Sequence, residues 1–306
     1  MPVLRLGTRG SPLALVQAHQ VRDRLIASGM AADDIEVVTF KTSGDRIQDR
    51  PLSEVGGKGL FTKELEDALL AGQIDAAVHS LKDMATRLPD GLSIAAVLER
   101  EDVRDAFISL AQRRFADLPK GAVFGTSSLR RQAQILRLRP DLQIVGFRGN
   151  VETRLRKLGE GVASATLLAA AGLRRLGMAG RITEIIDADT LLPAAAQGAI
   201  GIEIRAGDHR TAQCLASLDH QPTHIAVLAE RAFLDTLDGS CRTPIAALAT
   251  LADGRLTLRG EVLSPDGRRH AAVSRTATAQ EAVRMGADAG AEILALAGAD
   301  LFGARI

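Results

Sequence analysis

Three predicted strand-to-helix turns carry arginines beside glycine or hydroxyl residues. They are Thr8-Arg9-Gly10-Ser11, Gly125-Thr126-Ser127-Ser128-Leu129-Arg130-Arg131 and Phe147-Arg148-Gly149-Asn150. Ligands of open α/β sheets bind beyond the carboxyl ends of the strands, where helix N-termini present unpaired N–H groups. Arginine forms bidentate hydrogen bonds with carboxylates. One such turn alone would mean little, but the three together indicate a small substrate with several carboxylates.

The second of these turns is the strongest local signal. Arg130 and Arg131 follow Ser128 in the first turn of the predicted helix, where their charges oppose the helix dipole. A bound anion would offset that cost. The alternative is an ordinary serine N-cap followed by two solvated arginines.

Two further segments could carry chemistry. His79-Ser80-Leu81-Lys82-Asp83 follows a predicted strand and offers an acid and a base to a cleft; the alternative is a solvated ion pair. Val55-Gly56-Gly57-Lys58-Gly59-Leu60-Phe61 is either a lid or a flexible linker. It lacks the Gly-x4-Gly-Lys-Ser/Thr spacing of a Walker A motif.

The two cysteines indicate neither a disulfide nor a zinc site, because they form no CxxC pair and a reducing compartment is expected. No metal is predicted. Cys241 lies in a turn beside Arg242, where it could have thiolate character and act as a nucleophile. No His or Asn partner is identifiable, so a catalytic dyad cannot be assigned. Cys214 is predicted to be a buried small hydrophobe.

Strand-like apolar runs alternate with helix-like segments, which predicts a mostly parallel sheet covered by helices. Predicted strands cover 3–7, 35–40, 75–80, 92–98, 105–110, 122–125, 142–147, 165–169 and 198–204. Predicted helices begin at Ser11-Pro12, Leu60, Ser128, Val151 and Thr223. The strand at 198–204 could return to the first sheet. Beyond Asp219, three strands and a final helix indicate a smaller α+β domain.

Composition limits the function classes. Lengths above roughly 250–300 residues favour more than one domain, and this chain has 306 residues. The net charge of +1 and the lack of Trp and Tyr argue against nucleic acid as a partner. No apolar run is long enough to span a bilayer, and the first residues do not resemble a secretory signal. We therefore expect a cytoplasmic protein without a membrane partner.

The motifs together resemble the hydroxymethylbilane synthase family, also called porphobilinogen deaminase, over nearly the whole chain and in the same order. The segments that carry the resemblance are Thr8–Leu15, Val55–Glu66, Asp75–Asp83, Glu99–Phe107, Gly125–Gln134, Phe147–Leu155, Ala170–Gly177, Leu192–Glu203 and Gly239–Ala246.

The resemblance implies an activity and a cofactor. Members of this family join four porphobilinogen molecules head to tail, release ammonia at each step and free hydroxymethylbilane by hydrolysis. The chain grows on a dipyrromethane cofactor that the enzyme makes from its own substrate. By this likeness Cys241 holds the cofactor as a thioether, and Asp83 is the catalytic carboxylate. The implied partners are porphobilinogen and the growing pyrrole chain, with no obligate protein partner and a monomeric state.

The resemblance also implies roles for residues that match the motifs. Those that contact the cofactor would be Lys82, Asp83, Thr126, Ser128, Arg130, Arg131, Arg148 and Gly149. Those that contact the substrate would be Arg9, Ser11, Arg148, Arg154, Arg175 and Gln197. Lys58 and Phe61 would belong to a loop over the active site.

The implied fold has two α/β domains like those of type II periplasmic binding proteins, with mixed sheets, and a smaller α+β C-terminal domain. The expected boundaries are 1–98 with 199–217, then 104–193, then 220–306 with Cys241. The sequence departs from the family at Ala196, where glycine is common, at Ser164, and in the cysteine turn at Ser240, Arg242 and Thr243. Two alternatives remain, a two-lobed carboxylate-binding protein without catalysis and a cysteine hydrolase that uses Cys241.

Overall fold

The structure is a computed structural model that describes residues 4–42, 44, 61–237 and 244–301. These residues fall into two compact units. The first comprises the described residues up to 101 together with 198–224, and the second comprises 102–197 and the described residues from 225 onward. Lys58 and Cys241 lie outside the described residues. The division into three domains stays a prediction.

The strands occur close to their predicted positions. In chain order they are β1 (Leu4–Arg9), β2 (Ile35–Phe40), β3 (Ala76–Ser80), β4 (Leu92–Val97), β5 (Asp105–Ser109), β6 (Val123–Gly125), β7 (Gln143–Val145), β8 (Ala165–Ala169), β9 (Glu184–Ile186), β10 (Ile200–Arg205), β11 (Ile245–Ala252), β12 (Arg255–Leu263) and β13 (His270–Thr278). The strand β9 was not predicted, because three residues are too few to establish an alternating pattern.

The α-helices are α1 (Pro12–Ala27), α2 (Lys63–Leu70), α3 (Leu129–Leu138), α4 (Val151–Gly159), α5 (Ala170–Arg175), α6 (His209–Leu215), α7 (Gln221–Thr236) and α8 (Ala282–Leu301). The predicted starts of three helices are confirmed by their caps. Ser11, Ser128 and Asn150 each accept a hydrogen bond from a backbone N–H of the first turn. Such caps satisfy N–H groups that would otherwise lack partners.

The first unit is built on a five-stranded sheet in the order β2-β1-β3-β10-β4. β1 is parallel to β2 and β3, whereas β10 is antiparallel to β3 and β4. The return of residues 198–204 to this sheet is therefore confirmed. The buried stripe of α1, including Val21 and Leu25, packs on one core of this unit, and α2 contributes Leu65 and Leu69 to another.

The second unit contains a five-stranded sheet in the order β7-β6-β8-β5-β9. β6 is parallel to β7 and β8, and β5 is antiparallel to β8 and β9. The prediction of mostly parallel sheets is wrong at β5 and β10. Neither strand follows its neighbour through a strand-helix-strand crossover, so the rule that makes such neighbours parallel does not apply. The mixed sheets implied by the family resemblance are confirmed.

The second unit also contains the antiparallel sheet β11-β12-β13, with α7 and α8 against it. Its turn at Gly267 packs closely on α3. A Cβ at this position would lie only 2.4 Å from the Ala133 carbonyl oxygen. Gly267 also has φ +71°, so both the backbone angle and the close approach require glycine. The α+β character predicted for the C-terminal segment is confirmed.

The connection from the second unit back to β10 contains a strained residue. Ala196 has φ +59°, a left-handed conformation that costs non-glycine residues about 1–2 kcal/mol. Its N–H donates to Glu230 Oε2 at 2.5 Å, and Glu230 Oε1 accepts from the Ala249 N–H at 2.7 Å. Glu230 is fully buried on α7. This carboxylate holds alanine in a conformation that glycine adopts at no steric cost.

Candidate active site

Most of the predicted functional residues that the structure describes in the first unit line one pocket; Lys82 is not part of its lining. Its lining includes Arg9, Ser11, Phe61, His79, Ser80 and Asp83. These residues come from the ends of β1 and β3, from the start of α1 and from the residues just before α2. The structure therefore brings together side chains that are far apart in the sequence.

Arg9 and Phe61 are in direct contact. The Arg9 Cζ lies 4.1 Å from the centroid of the Phe61 ring, a cation–π arrangement. Arg9 ends β1 and Ser11 caps α1, so the strand and the capped helix together fix the start of this pocket wall. An arginine whose charge faces both a ring and a pocket suits a carboxylate ligand.

The turn that carries Asp83 is anchored by the residue at its start, Leu81. A short 3-10 helix, Leu81–Asp83, follows β3. The Leu81 side chain is buried, and its N–H donates to the Ala199 carbonyl at 3.1 Å. Lys82 is half-buried and Asp83 is exposed. The fold thus holds the backbone rigidly and presents the Asp83 carboxylate at the pocket.

A buried charge cluster that the sequence patterns did not reveal lies beside this pocket. His79 Nε2 is 3.0 Å from Glu203 Oε2, and both side chains are buried. Glu66 on α2 is also buried, and burial raises its pKa above the ordinary range, with the nearby charge of Glu203 adding to that effect. The signal was a charged residue, Glu203, between two isoleucines of the strand Ile200–Arg205.

We expect Glu66→Gln to stabilise the protein at neutral pH by about 1 kcal/mol. Because the folded-state pKa of Glu66 is raised, its proton is bound more tightly in the folded state, and stability falls as pH rises from the unfolded value through the folded one. Glutamine does not ionise, so the Glu66→Gln protein does not lose this stability as the pH rises. Urea unfolding between pH 4.5 and 7.5 measures it, with Asp67→Asn, exposed on the same helix, as the control. An unchanged pH slope for Glu66→Gln would contradict this assignment.

In the second unit, two of the arginine turns are tied together. The Ser127 hydroxyl accepts a hydrogen bond from the Phe147 N–H at 2.8 Å. Thr126 is buried, and its hydroxyl accepts from the Ser128 N–H at 3.1 Å. Adjacent parallel strands β6 and β7 end at these turns. The N-termini of α3 and α4 are thereby placed side by side.

The turn after β7 requires its glycine. Gly149 has φ +121°, and a Cβ there would lie 2.5 Å from Thr153 Cγ2. Its carbonyl accepts from the Arg154 Nε at 2.9 Å, and the Arg148 carbonyl accepts from Lys157 Nζ at 3.1 Å. Arg148, Arg154 and Arg175 are all half-buried. Part of each side chain is therefore exposed and can contact a ligand.

Asp105 joins three of the predicted residues. Its Oδ2 accepts from Arg130 Nη2 at 2.7 Å, and its Oδ1 accepts from Arg131 Nη2 at 2.7 Å and from Gln197 Nε2 at 2.9 Å. Both arginines are 6% exposed. The alternative of two solvated arginines is therefore wrong. Their assignment to cofactor carboxylates stays a prediction.

Other predictions from the sequence have simpler outcomes. Cys214 is only partly buried, so its expected full burial is wrong; α6, on which it lies, is short and leaves one side open. Within the described residues, no three His, Cys, Asp or Glu side chains are grouped to hold a metal ion. Among the same residues, no helix combines the length and apolarity needed to cross a membrane.

Comparison with known families decides the identity. Residues 4–213 match the model of the porphobilinogen deaminase dipyrromethane cofactor binding domain, and residues 224–295 match the model of the porphobilinogen deaminase C-terminal domain. The chain belongs to the porphobilinogen deaminase family. The resemblance predicted from the motifs is confirmed.

Two relatives of the porphobilinogen deaminase family match almost end to end. The porphobilinogen deaminase of Paracoccus denitrificans (strain Pd 1222) is 57% identical over 300 residues, covering 98% of this chain and 96% of that protein. The chloroplastic porphobilinogen deaminase of Pisum sativum is 54% identical over 307 residues, covering 98% and 83%. Among solved structures, the methionine-binding protein MetQ matches with a TM-score of 0.44 and 14% identity over 70% of this chain and 89% of that chain, a likeness of fold alone.

These matches confirm the predicted function, a transferase that acts as hydroxymethylbilane synthase in tetrapyrrole biosynthesis, and the dipyrromethane cofactor. The alternatives of a binding protein without catalysis and of a cysteine hydrolase are set aside. The second unit fits a group that carries carboxylates. Two buried guanidinium groups there face one buried carboxylate, and the Arg131 Nε–H has no hydrogen-bond partner among the described residues.

Proposed function

We propose that Asp83 is the catalytic carboxylate of this porphobilinogen deaminase. The observation that carries the proposal is its position, exposed in a pocket with Arg9 on a turn anchored by a buried Leu81. Ammonia leaves porphobilinogen as positive charge develops on the pyrrole. An Asp83 carboxylate beside the ring stabilises that charge, and a rigid turn keeps it in place throughout.

Arg9 has a complementary part in this pocket. Porphobilinogen carries carboxylate side chains, and the Arg9 guanidinium, held over Phe61, supplies a fixed positive charge for one of them. Ser11, at the N-terminus of α1, adds a hydroxyl beside it. Binding one end of the substrate at Arg9 orients the reacting end toward Asp83, which lowers the entropic part of the barrier.

We further propose that Cys241 carries the dipyrromethane as a thioether and that basic and hydroxyl side chains, most of them in the second unit, hold its carboxylates. Bound in this way, the cofactor supplies the free pyrrole position to which the first substrate is joined. The residues that hold it would be Lys82, Thr126, Ser128, Arg130, Arg131, Arg148 and Gly149. Arg148, Arg154, Arg175 and Gln197 would contact the growing chain, and Lys58 and Phe61 would belong to a covering loop.

The finer statements on partners and location are also proposals. We propose a monomer in the cytoplasm whose partners are porphobilinogen and the growing pyrrole chain, with no nucleic acid, membrane or obligate protein partner. The net charge of +1 supports the absence of a polyanionic partner.

The proposed chemistry is tested by its stoichiometry. The purified protein is incubated with porphobilinogen, and released ammonia and linear tetrapyrrole are measured together. Four ammonia molecules for each tetrapyrrole support stepwise condensation of four units. Consumption of porphobilinogen without ammonia, or ammonia without tetrapyrrole, would refute it.

A further inference from the structure

Asp105 is a buried carboxylate to which the motifs and the family resemblance assigned no part. It is the first residue of β5, and its side chain is fully buried. It accepts hydrogen bonds from Arg130, Arg131 and Gln197, which were proposed separately as cofactor or substrate contacts. One side chain therefore fixes the positions of three proposed binding residues.

The rest of each guanidinium is also fixed. Arg130 Nη1 donates to the Leu192 carbonyl at 2.8 Å, and Arg131 Nη1 donates to the Leu167 carbonyl at 3.0 Å. Gln197 Nε2 donates additionally to the Val103 carbonyl at 2.7 Å. These backbone contacts, together with Asp105, leave the arginines little rotamer freedom. A ligand that binds them does not have to order them first.

The charges of this cluster do not cancel. One carboxylate faces two guanidinium groups, so these three side chains carry one excess positive charge, which the half-buried Glu261 near Arg130 offsets only in part. Burial alone would raise the pKa of Asp105, but the charges of Arg130 and Arg131 hold it well below its ordinary range. Burial also lowers the pKa of Arg130. A buried charge that is only partly compensated is unfavourable, and an arriving anion would complete the compensation within a low-dielectric site.

Arg131 points to where that anion would bind. Its Nε–H is buried and has no hydrogen-bond partner among the described residues, although both of its Nη groups are bonded. Buried donors are nearly always satisfied in native proteins, so an unpaired one marks a missing acceptor. Ser128 also places Arg131 in the first turn of α3, where the helix dipole favours an anion.

We propose that Asp105 is a positioning residue that holds Arg130, Arg131 and Gln197 in one preformed site, whose excess charge and free Arg131 Nε–H receive a carboxylate of the dipyrromethane cofactor. The proposal rests on the proposed function, because it takes the cofactor as the ligand. Asp105 acts through the arginines and does not itself touch the cofactor.

The test compares Asp105→Asn with Asp75→Asn. Asp75 also lies between two arginines, Arg5 at 2.9 Å and Arg205 at 3.5 Å, but in the first unit and away from the proposed ligands. Each protein is produced without cofactor in a host that makes no porphobilinogen, then given porphobilinogen. Covalent adduct is followed by intact mass after denaturation, and stability by urea unfolding.

We expect Asp105→Asn to acquire the adduct about tenfold or more slowly, since asparagine turns an amide donor toward one of the arginines. We expect Asp75→Asn to lose stability and acquire the adduct at the wild-type rate. Equal rates for wild type and Asp105→Asn would overturn the proposal. The proposal would also be overturned if Asp75→Asn slowed adduct formation as much as Asp105→Asn does. The slower rate would then be a consequence of lost stability alone.

Asp105→Glu is the second variant, which replaces Asp105→Asn if that protein does not fold. Glutamate retains the charge but moves the carboxylate by one methylene, so a positioning role predicts a folded protein that still acquires the adduct about tenfold more slowly. Adduct formation by Asp105→Glu at the wild-type rate would overturn the proposal. If the wild type itself forms no adduct, the proposed function fails, and that result is distinct from failure of the part assigned to Asp105.

Discussion

Asp83→Asn gives a folded protein that retains its covalent cofactor but turns over about 100-fold to 10,000-fold more slowly. Asparagine matches aspartate in shape, so the anchored turn Leu81–Asp83 is preserved. The lost negative charge removes the stabilisation of the cationic pyrrole as ammonia leaves. Single-turnover measurement of ammonia release separates this chemical step from binding and product release.

The control for Asp83→Asn is Asp90→Asn, an exposed aspartate that follows in the same connection to β4. It should leave turnover within twofold, and both variants should show the cofactor mass. Near-normal turnover of Asp83→Asn would refute the catalytic role. Because the cofactor forms from the same substrate with the same loss of ammonia, slower acquisition of the cofactor by Asp83→Asn would support the same catalytic role.

Cys241→Ser should yield protein without covalent cofactor and with no measurable synthesis of tetrapyrrole. Serine has nearly the shape of cysteine, but its hydroxyl is a far weaker nucleophile at neutral pH than a thiol with thiolate character. Without the covalent anchor, the growing chain has no fixed point of attachment. Intact mass of the denatured protein and tetrapyrrole formation measure the two losses.

Cys214→Ser is the matched control, because Cys214 is the chain's other cysteine and lies partly buried on α6. We expect it to carry the full adduct and to keep wild-type activity. An adduct retained by Cys241→Ser and lost from Cys214→Ser would reverse the assignment of the two cysteines.

Local sequence signals predicted most elements that position the site. The caps at Ser11, Ser128 and Asn150 depend on contacts within one helical turn, so their residue types were enough to place three helix starts. The direction of β10 depends on pairing with strands far away in the chain. A pattern of local apolarity contains no information on that pairing, which is why a mostly parallel sheet was predicted.

The buried carboxylates Asp105 and Glu203 were not predicted for a related reason. Asp105 and Glu203 each stand in a short, mostly apolar strand, where a charged side chain could equally face solvent or a buried partner. Only the fold shows that Asp105 meets Arg130 and Arg131, and that Glu203 meets His79. The arginines were recognised from their turn, but the carboxylate that orders them comes from another strand.

The most direct test of the central claim, a pyrrole-condensing enzyme primed by a cofactor on Cys241, is to locate the adduct. Tryptic cleavage after Arg210, Arg231 and Arg242 separates Cys214, in peptide 211–231, from Cys241, in peptide 232–242. We expect that, in active enzyme, 232–242 carries the mass of a dipyrromethane and 211–231 is unmodified. An unmodified 232–242 from fully active enzyme, or the adduct on 211–231, would contradict it.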